Sequence, residues 1–307
     1  MKDCLYEGSL IHTKENMQKT RNFEALRQAM LDGDVLEGRA FVFDNEKNLI
    51  VPLCGIRGII PFAECAIGMD SPDAKDIVAV SRVGKPVCFI IKEITTDELG
   101  MPVAYLSRRA VQERFVFEKV SRLVPGDVIP CCVTHIERFG CFADVGRGVI
   151  ALLPIDLISV SRIAHPNERI SVGDRLMCVV KSIDENGRIV LSQKELLGTF
   201  LENAALFSAG ETVFGTVRSV EDYGVFVELT PNLSGLAEPY ENVEAGDGAS
   251  VYIKSIIPQK MKIKLSITDA FKTPPQKTPL RYFCESDHID RFVYSPQDCQ
   301  KIIETVF

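Results

Sequence analysis

Short apolar runs, separated by Gly, Asp and Asn, follow one another along most of this chain. In runs such as CCVTHIERF and YIKSI, apolar residues recur at about every second position, which is typical of a β-strand with one buried face. Four segments instead have helical patterns: residues 14–32, which end at Gly33, residues 110–123, residues 194–207, and a tail that begins at Ser295-Pro296. The pattern therefore predicts a mostly β protein with linking helices.

The strand pattern repeats along the chain. GDVIPCCVTHIERFGCFADV from Gly126 aligns with GETVFGTVRSVEDYGVFVEL from Gly210, and both segments continue to Gly-Asp, an apolar run with KSI, and Leu-Ser. A weaker copy extends from Gly33 to Arg109. Each copy reads as about five strands, which hide their sheet edges by closing into a small barrel. We therefore expect an all-β fold with three tandem five-stranded OB-fold barrels.

These patterns divide the chain into five parts. Residues 1–32 form an N-terminal helical segment, and residues 273–307 form a Pro-rich connector followed by a C-terminal helix. Between them we place three OB-type repeats, at residues 33–112, 113–198 and 199–272. The first of these repeats is divergent.

The composition limits the kinds of partner. The net charge of the chain is −7, so any polyanion must be met by a local basic patch and not by the field of the whole protein. Counted over residues 122–198 the net charge is 0, over residues 33–112 it is −2, and over residues 199–272 it is −4.

Localisation follows from the absence of export and membrane signals in this sequence. No stretch approaches the ~20 apolar residues that span a bilayer, so no membrane partner is expected. The first residues lack the apolar core and cleavage site of a signal peptide. The ten cysteines include no CxxC pair, which favours reduced thiols in a cytoplasmic protein.

The aromatic-Gly-x-Phe motif is the strongest local feature. It occurs as Phe139-Gly140-Cys141-Phe142 and as Tyr223-Gly224-Val225-Phe226. A Gly that bends the strand brings both rings toward one surface, and rings on a barrel face stack the bases of a single-stranded nucleic acid. We expect Phe139 and Tyr223 to be exposed, whereas Phe142 and Phe226 are equally compatible with a place in the core.

Two further segments carry candidate polar contacts. The turn Asp184-Glu-Asn-Gly-Arg188 offers a guanidinium for phosphate or for stacking, although a simple Asp184–Arg188 surface pair that braces the turn is an alternative. In the last repeat, Lys260, Lys262 and Lys264 alternate, which would put three ammonium groups on one face of one strand. The alternative is an edge strand guarded by lysines.

Together these motifs resemble the S1 RNA-binding domain family. The pattern G-D-x-V, [FY]-G-x-F and V-K-S-I-D-x-x-G-R-I-x-L-S covers residues 124–195 and, less closely, 208–268. The three-copy order is similar to the short, three-repeat homologues of small-subunit ribosomal protein one from Gram-positive anaerobic bacteria.

The resemblance implies an OB-fold barrel for each repeat and RNA as the ligand. By position in the family motif, it implies RNA contacts from two groups of residues: Phe139, Phe142, Asp184 and Arg188 in the middle repeat, and Tyr223, Phe226 and the three lysines in the last. The family's His aligns with Ala151 and Glu238, and Pro258 and Lys262 replace its Asp and Arg in the last repeat. In the first repeat, the aromatic positions fall in Asn48-Leu49-Ile50-Val51, so we expect no stacking platform there.

Enzyme and metal chemistry find little support. Phosphate-binding and nucleophile-elbow motifs are absent from the sequence, and Cys284, His288 and Cys299 have an irregular spacing for zinc ligands. We therefore expect no cofactor, no metal and no catalysis.

The sequence thus predicts a non-catalytic protein of the translation machinery that binds single-stranded RNA, with messenger RNA expected and the small ribosomal subunit as a candidate partner. The middle repeat would be the main reader of RNA. The alternative is a protein-interaction module that contacts ribosomal or transcription partners and has incidental RNA affinity.

Overall fold

A computed structural model describes residues 5–272 and 280–307 of the chain. The chain forms two compact units: one contains the residues up to Leu123 together with Asp144–Ile150, and the other contains Val124–Ala143 and Ala151–Phe307. Among the described residues, no helix is long and apolar enough to cross a membrane.

The N-terminal segment contains two helices and not one. Helix α1 spans Lys14–Arg21 and helix α2 spans Phe23–Asp32. Asn22 has an extended backbone, and its side-chain oxygen accepts the N–H of Ala25 at 3.1 Å, so it ends the first helix and caps the second. The single helix expected over residues 14–32 is therefore wrong at Asn22, because Asn caps a helix more readily than it continues one.

The first repeat is a curled sheet of six strands in the order β1-β5-β6-β4-β3-β2. Its first barrel strand is broken into β1 and β2, which are separated by Ala40 and Phe41. The Ala40 N–H donates to the carbonyl oxygen of Lys85, which directly precedes β5. The Phe41 N–H donates to the carbonyl oxygen of Ile50 on β3. The expected five strands are thus six, because the bend divides one strand between the two ends of the sheet. The strands are β1 (Leu36–Arg39), β2 (Val42–Phe43), β3 (Leu49–Leu53), β4 (Ile56–Ile60), β5 (Pro86–Thr96) and β6 (Pro102–Ser107).

The other two repeats are closed five-stranded barrels, which confirms the expected fold class. The middle barrel has the order β10-β11-β9-β8-β7 and the last has β12-β13-β14-β16-β15. In each, one parallel pair closes the barrel, namely β9 with β11 and β14 with β16. The middle strands are β7 (Val128–Glu137), β8 (Gly140–Gly146), β9 (Val149–Pro154), β10 (Arg175–Ile183) and β11 (Ile189–Ser192). The last strands are β12 (Thr212–Glu221), β13 (Gly224–Thr230), β14 (Leu233–Ala237), β15 (Gly248–Ile257) and β16 (Lys262–Phe271).

Short helices connect the sheets. A four-residue helix, α3 (Ile77–Val80), lies within the first repeat, and α4 (Arg109–Glu118) follows that repeat where a helix was expected. The helix expected over residues 194–207 is interrupted. A 3-10 turn at Lys194–Leu197 ends at Gly198, whose φ is 86°, and helix α5 (Phe200–Ala204) starts after the Thr199 cap. The left-handed backbone at Gly198 breaks the helical periodicity.

The predicted C-terminal helix is wrong. The tail is instead a hairpin of β17 (Arg291–Val293) and β18 (Glu304–Val306). The Ser295 hydroxyl accepts the backbone N–H of Ile303 at 2.6 Å, so it joins the two arms of the hairpin and does not cap a helix. Strand pairing thereby overrides the local Ser-Pro helix signal.

Buried ion pairs connect the middle barrel to the last one. The Arg169 guanidinium donates to both carboxylate oxygens of Glu228, at 2.8 and 2.5 Å, and both side chains are buried. Arg218 donates to the same carboxylate at 2.8 and 3.1 Å and also to Glu168. Glu228 on β13 therefore receives four hydrogen bonds from two guanidinium groups, one of which belongs to the loop that precedes β10.

Removal of the Glu228 charge should destabilise the protein strongly. In Glu228→Gln, the buried guanidinium of Arg169 loses its carboxylate and Arg218 loses one of its two, so we expect the free energy of unfolding to fall by about 3–5 kcal/mol. Denaturant unfolding of the full chain measures this. The control is Glu238→Gln, which removes the exposed carboxylate that pairs with Lys254 at 2.7 Å and should leave stability nearly unchanged. Equal effects of the two substitutions would contradict the role of the buried network.

Candidate nucleic-acid interface

Glycine in the aromatic-Gly-x-Phe motif permits close approach of the next strand. A Cβ atom at Gly140 would lie 2.4 Å from the carbonyl oxygen of Leu153, and one at Gly224 would lie 2.3 Å from that of Ala237. Any larger residue would therefore push the paired strands apart. The glycine fixes the strand start at which the first aromatic ring of each motif is presented.

Three rings lie next to one another on the middle barrel. Phe139 is 55% exposed and Phe142 is half-buried. Their ring centroids are 6.0 Å apart in an edge-to-face arrangement, and His135 stacks on Phe142 at 6.3 Å. We call His135, Phe139 and Phe142 the aromatic face. Phe142 is thus not a core residue, because it contributes to a surface between two other rings.

Sequence reasoning missed His135, which lies outside the aromatic-Gly-x-Phe motif. The side chain is 62% exposed, and its Nε2 lies 2.7 Å from a carboxylate oxygen of Glu137. The signal was available in the alternation of β7, where Cys131 and Val133 are buried and His135 and Glu137 are exposed. The aromatic-Gly-x-Phe motif begins only at Phe139 and therefore does not include this ring.

The Asp184 turn is held through the backbone. One carboxylate oxygen of Asp184 accepts the N–H groups of Asn186 and Arg188, at 2.9 and 2.8 Å. Among the ion pairs of the described residues, none joins Asp184 to the Arg188 side chain, so the surface-pair interpretation is wrong. Arg188 is exposed at the entry to β11, and its guanidinium is free to contact phosphate or a base.

The last barrel presents two rings at the matching positions. Tyr223 is 66% exposed and Phe226 is half-buried, with ring centroids 6.3 Å apart and edge-to-face. Strand pairing places Phe226 beside Leu236, and Leu236 beside Lys264. Phe226, Leu236 and Lys264 therefore belong to one lateral row across three strands.

The three lysines of the last barrel do not share one strand. Lys262 and Lys264 point outward on β16, with Ile263 buried between them, but Lys260 lies in a 3-10 turn. Met261 has a left-handed backbone, with φ 47°, and this turn separates Lys260 from the strand. The edge-strand alternative is also wrong, because β16 pairs with β14 on one side and β15 on the other.

Neighbouring charges differ between the two barrels. Arg138 precedes Phe139, whereas Asp222 precedes Tyr223, so the middle barrel has a cation where the last has an anion. Of the two residues that align with the family's His, Ala151 is buried and Glu238 is exposed. The hydrogen bond and charge of Lys254 hold the pKa of Glu238 below its ordinary value.

The first repeat has no aromatic platform at the aligned positions. Leu49 and Val51 are fully buried, and Ile50 is nearly so. The described ranges, residues 5–272 and 280–307, contain no group of three or more His, Cys, Asp or Glu that could hold a metal. The two ring nitrogens of His288 contact carboxylates instead, Asp127 at 2.7 Å and Asp290 at 3.2 Å.

The two closed barrels with their exposed rings define a tandem OB-barrel protein with a candidate surface for single-stranded nucleic acid. Residues 123–194, which contain the middle barrel, match the family described as the S1 RNA binding domain. Along most of its length the chain is similar to small ribosomal subunit protein bS1.

The bS1 relatives cover most of the chain at low identity. The protein of Leuconostoc lactis is 26% identical over 93% of this chain and 68% of its own length. The homolog of Bacillus subtilis is 28% identical over 87% of this chain and 72% of its own length. Among solved structures, GSP13 from Bacillus subtilis is 28% identical over 24% of this chain and 57% of its own, with a TM-score of 0.23.

The role of Asp184 can be separated from that of its neighbours in the turn. Asp184→Ala removes an acceptor of two backbone hydrogen bonds and should lower the free energy of unfolding by about 1 kcal/mol. Glu185→Ala, in the same exposed turn, should have little effect. Denaturant titration of both variants measures the difference. A free energy of unfolding for Asp184→Ala equal to that of the parent would show that the carboxylate is dispensable.

Proposed function

We propose that this protein binds single-stranded RNA as a non-catalytic, cytoplasmic component of the translation machinery, with the small ribosomal subunit as its assembly partner. The observation that carries the proposal is the aromatic face of His135, Phe139 and Phe142, located in the barrel that matches the S1 RNA binding domain. Similarity to bS1 supports the connection to translation.

The geometry of the aromatic face suits single strands. Bases of a single strand are not paired with a partner strand, so they can turn outward and stack on protein rings, and each stack contributes about 1–3 kcal/mol. Phe139 exposes its ring at the start of β8, and the edge-to-face contact with Phe142 fixes its orientation. Arg138 and Arg188 add cations for phosphate, so stacking would provide affinity for any sequence and the arginines would add salt-dependent attraction.

Binding to protein is the competing function. It draws support from the net charge of −7 and from the first repeat, which lacks rings at the aligned positions. The two functions differ in their response to salt, because counterion release makes RNA binding weaken steeply as salt increases, whereas an apolar protein interface responds little.

Loss of the Phe139 ring should weaken RNA binding. We expect Phe139→Ala to cost about 1–3 kcal/mol, the value of one base stack, and Tyr223→Ala to cost less, because its barrel has two rings in place of three. Fluorescence anisotropy with a short unstructured RNA measures both. Phe214→Ala is the matched control, because Phe214 is 54% exposed, nearly the same as Phe139, but its ring stacks on Phe271. If Phe139→Ala binds like the parent while Tyr223→Ala abolishes binding, the main reader is the last barrel.

Loss of the Arg188 charge should flatten the salt dependence. For a single strand, each phosphate contact contributes about 0.7 to the slope of log affinity against log salt, so Arg188→Ala should reduce the slope by about that amount as well as weaken binding. Lys92→Gln, an exposed cation of the first sheet, should leave the slope unchanged. A parent protein whose RNA binding does not respond to salt would favour the protein-interaction function.

A further inference from the structure

A groove of about 820 Å³ opens beside Tyr223 and Phe226. Three segments that are distant in sequence line it: the 160–164 loop after β9, the Lys260–Lys262 turn, and the C-terminal tail near Lys301. All of them belong to the same compact unit. We call this the cationic groove.

The charges in the cationic groove are mostly positive and mostly unpaired. Glu221 is the one carboxylate among its described lining residues. Arg218 is occupied by Glu168 and Glu228. The remaining cations are exposed and take part in no ion pair among the described residues; they are Arg162, Lys260, Lys262 and Lys301. Two of these cations, Lys260 and Lys262, belong to the repeat of net charge −4, whereas Arg162 comes from the middle repeat and Lys301 from the tail. Together the four cations form an anion site that the net charge of the last repeat does not indicate.

Arg162 is placed by a well-anchored loop. The backbone N–H of Val160 donates to the side-chain oxygen of Asn232 at 2.9 Å, and the hydroxyl groups of Ser161 and Ser234 are 2.8 Å apart. These contacts attach the loop of the middle barrel to the start of β14. The position of Arg162 in the groove is therefore set by packing between the two barrels and not by free loop motion.

Lys301 is placed by the hairpin tail. The Tyr294 hydroxyl donates to the backbone carbonyl of Asn232 at 2.5 Å, and the Tyr294 N–H donates to Ile303 at 2.9 Å. Tyr294 itself is buried. The tail thus closes one side of the groove, with Lys301 only two residues from an anchored position.

We propose that the cationic groove binds the phosphate backbone of the RNA strand whose bases stack on Tyr223 and Phe226, with Arg162 and Lys301 as phosphate ligands. The proposal rests on the RNA-binding function above. Rings at one edge and cations along the walls are what a single strand requires, because its bases and phosphates lie on opposite sides of the chain.

The test uses the full chain and a labelled oligouridylate of about 16 nucleotides, the upper site size of one OB barrel. We expect Arg162→Gln and Lys301→Gln each to weaken binding about fivefold at about 0.1 M salt, and each to reduce the salt slope by about 0.7, the value of one phosphate contact. Lys92→Gln removes the same charge from the first sheet and should change neither quantity.

Double variants distinguish one site shared by the groove cations and the rings from a general electrostatic attraction of the protein for RNA. The effect of Arg162→Gln should shrink in a Tyr223→Ala background, because both residues hold the same stretch of RNA, and should persist in a Phe139→Ala background. If Arg162→Gln and Lys301→Gln bind like the parent while Phe139→Ala weakens binding, the groove proposal fails and the RNA-binding function stands. If Lys92→Gln has the same effect as the groove variants, the groove is not a specific site. If the parent shows no salt-dependent binding and no effect of Phe139→Ala, both proposals fail.

Discussion

The relation between the middle and last barrels depends on one buried carboxylate, Glu228. It lies two residues after Phe226 on β13 and accepts hydrogen bonds from Arg169 of the middle barrel and Arg218 of its own. Burial of three charged groups is costly, and the bidentate geometry is what offsets that cost. Arg169 follows the 160–164 loop in the chain, so its contacts to Glu228 help to hold that loop, and with it Arg162, beside the aromatic pair of the last barrel.

The same repeat position carries a buried carboxylate in the middle barrel. Asp144 lies two residues after Phe142, and it accepts the backbone N–H groups of Glu7, Gly146 and Gly148. Burial raises the pKa of Asp144 to about 6. Burial alone would also raise the pKa of Glu7, but Arg108, the backbone N–H of Cys88 and the charge of Arg82 together lower that pKa. In both copies, the strand that follows the first ring thus carries a buried acid two residues after the second ring, and this acid is bonded to a residue distant in sequence.

The sequence predicted the features that repeat. The spacing of Gly-Asp, aromatic-Gly-x-Phe and Leu-Ser gave the barrels, and the position of Phe139 beside a Gly gave its exposure. Features set by distant contacts were not predictable. The tail after Ser295 has a helix start signal, yet β17 pairs with it. Lys260 alternates with Lys262 in sequence, yet a left-handed Met261 separates them. Arg162 and Lys301 have no motif at all, since only the folded loop and tail bring them to one cavity.

The net charge does not indicate where this protein can bind an anion, because several of its carboxylates are buried whereas the groove cations are exposed. Several carboxylates are consumed inside the fold, where Glu7, Asp144 and Glu228 bind guanidinium or backbone N–H groups, and a buried neutralised pair contributes little to the potential outside. The groove cations remain exposed and unpaired among the described residues. Since screening limits electrostatic attraction to about 8–10 Å at physiological salt, an approaching phosphate responds to these near cations and not to a total of −7. A chain with a negative net charge can therefore present a basic site, provided that carboxylates are paired or hydrogen-bonded inside the fold.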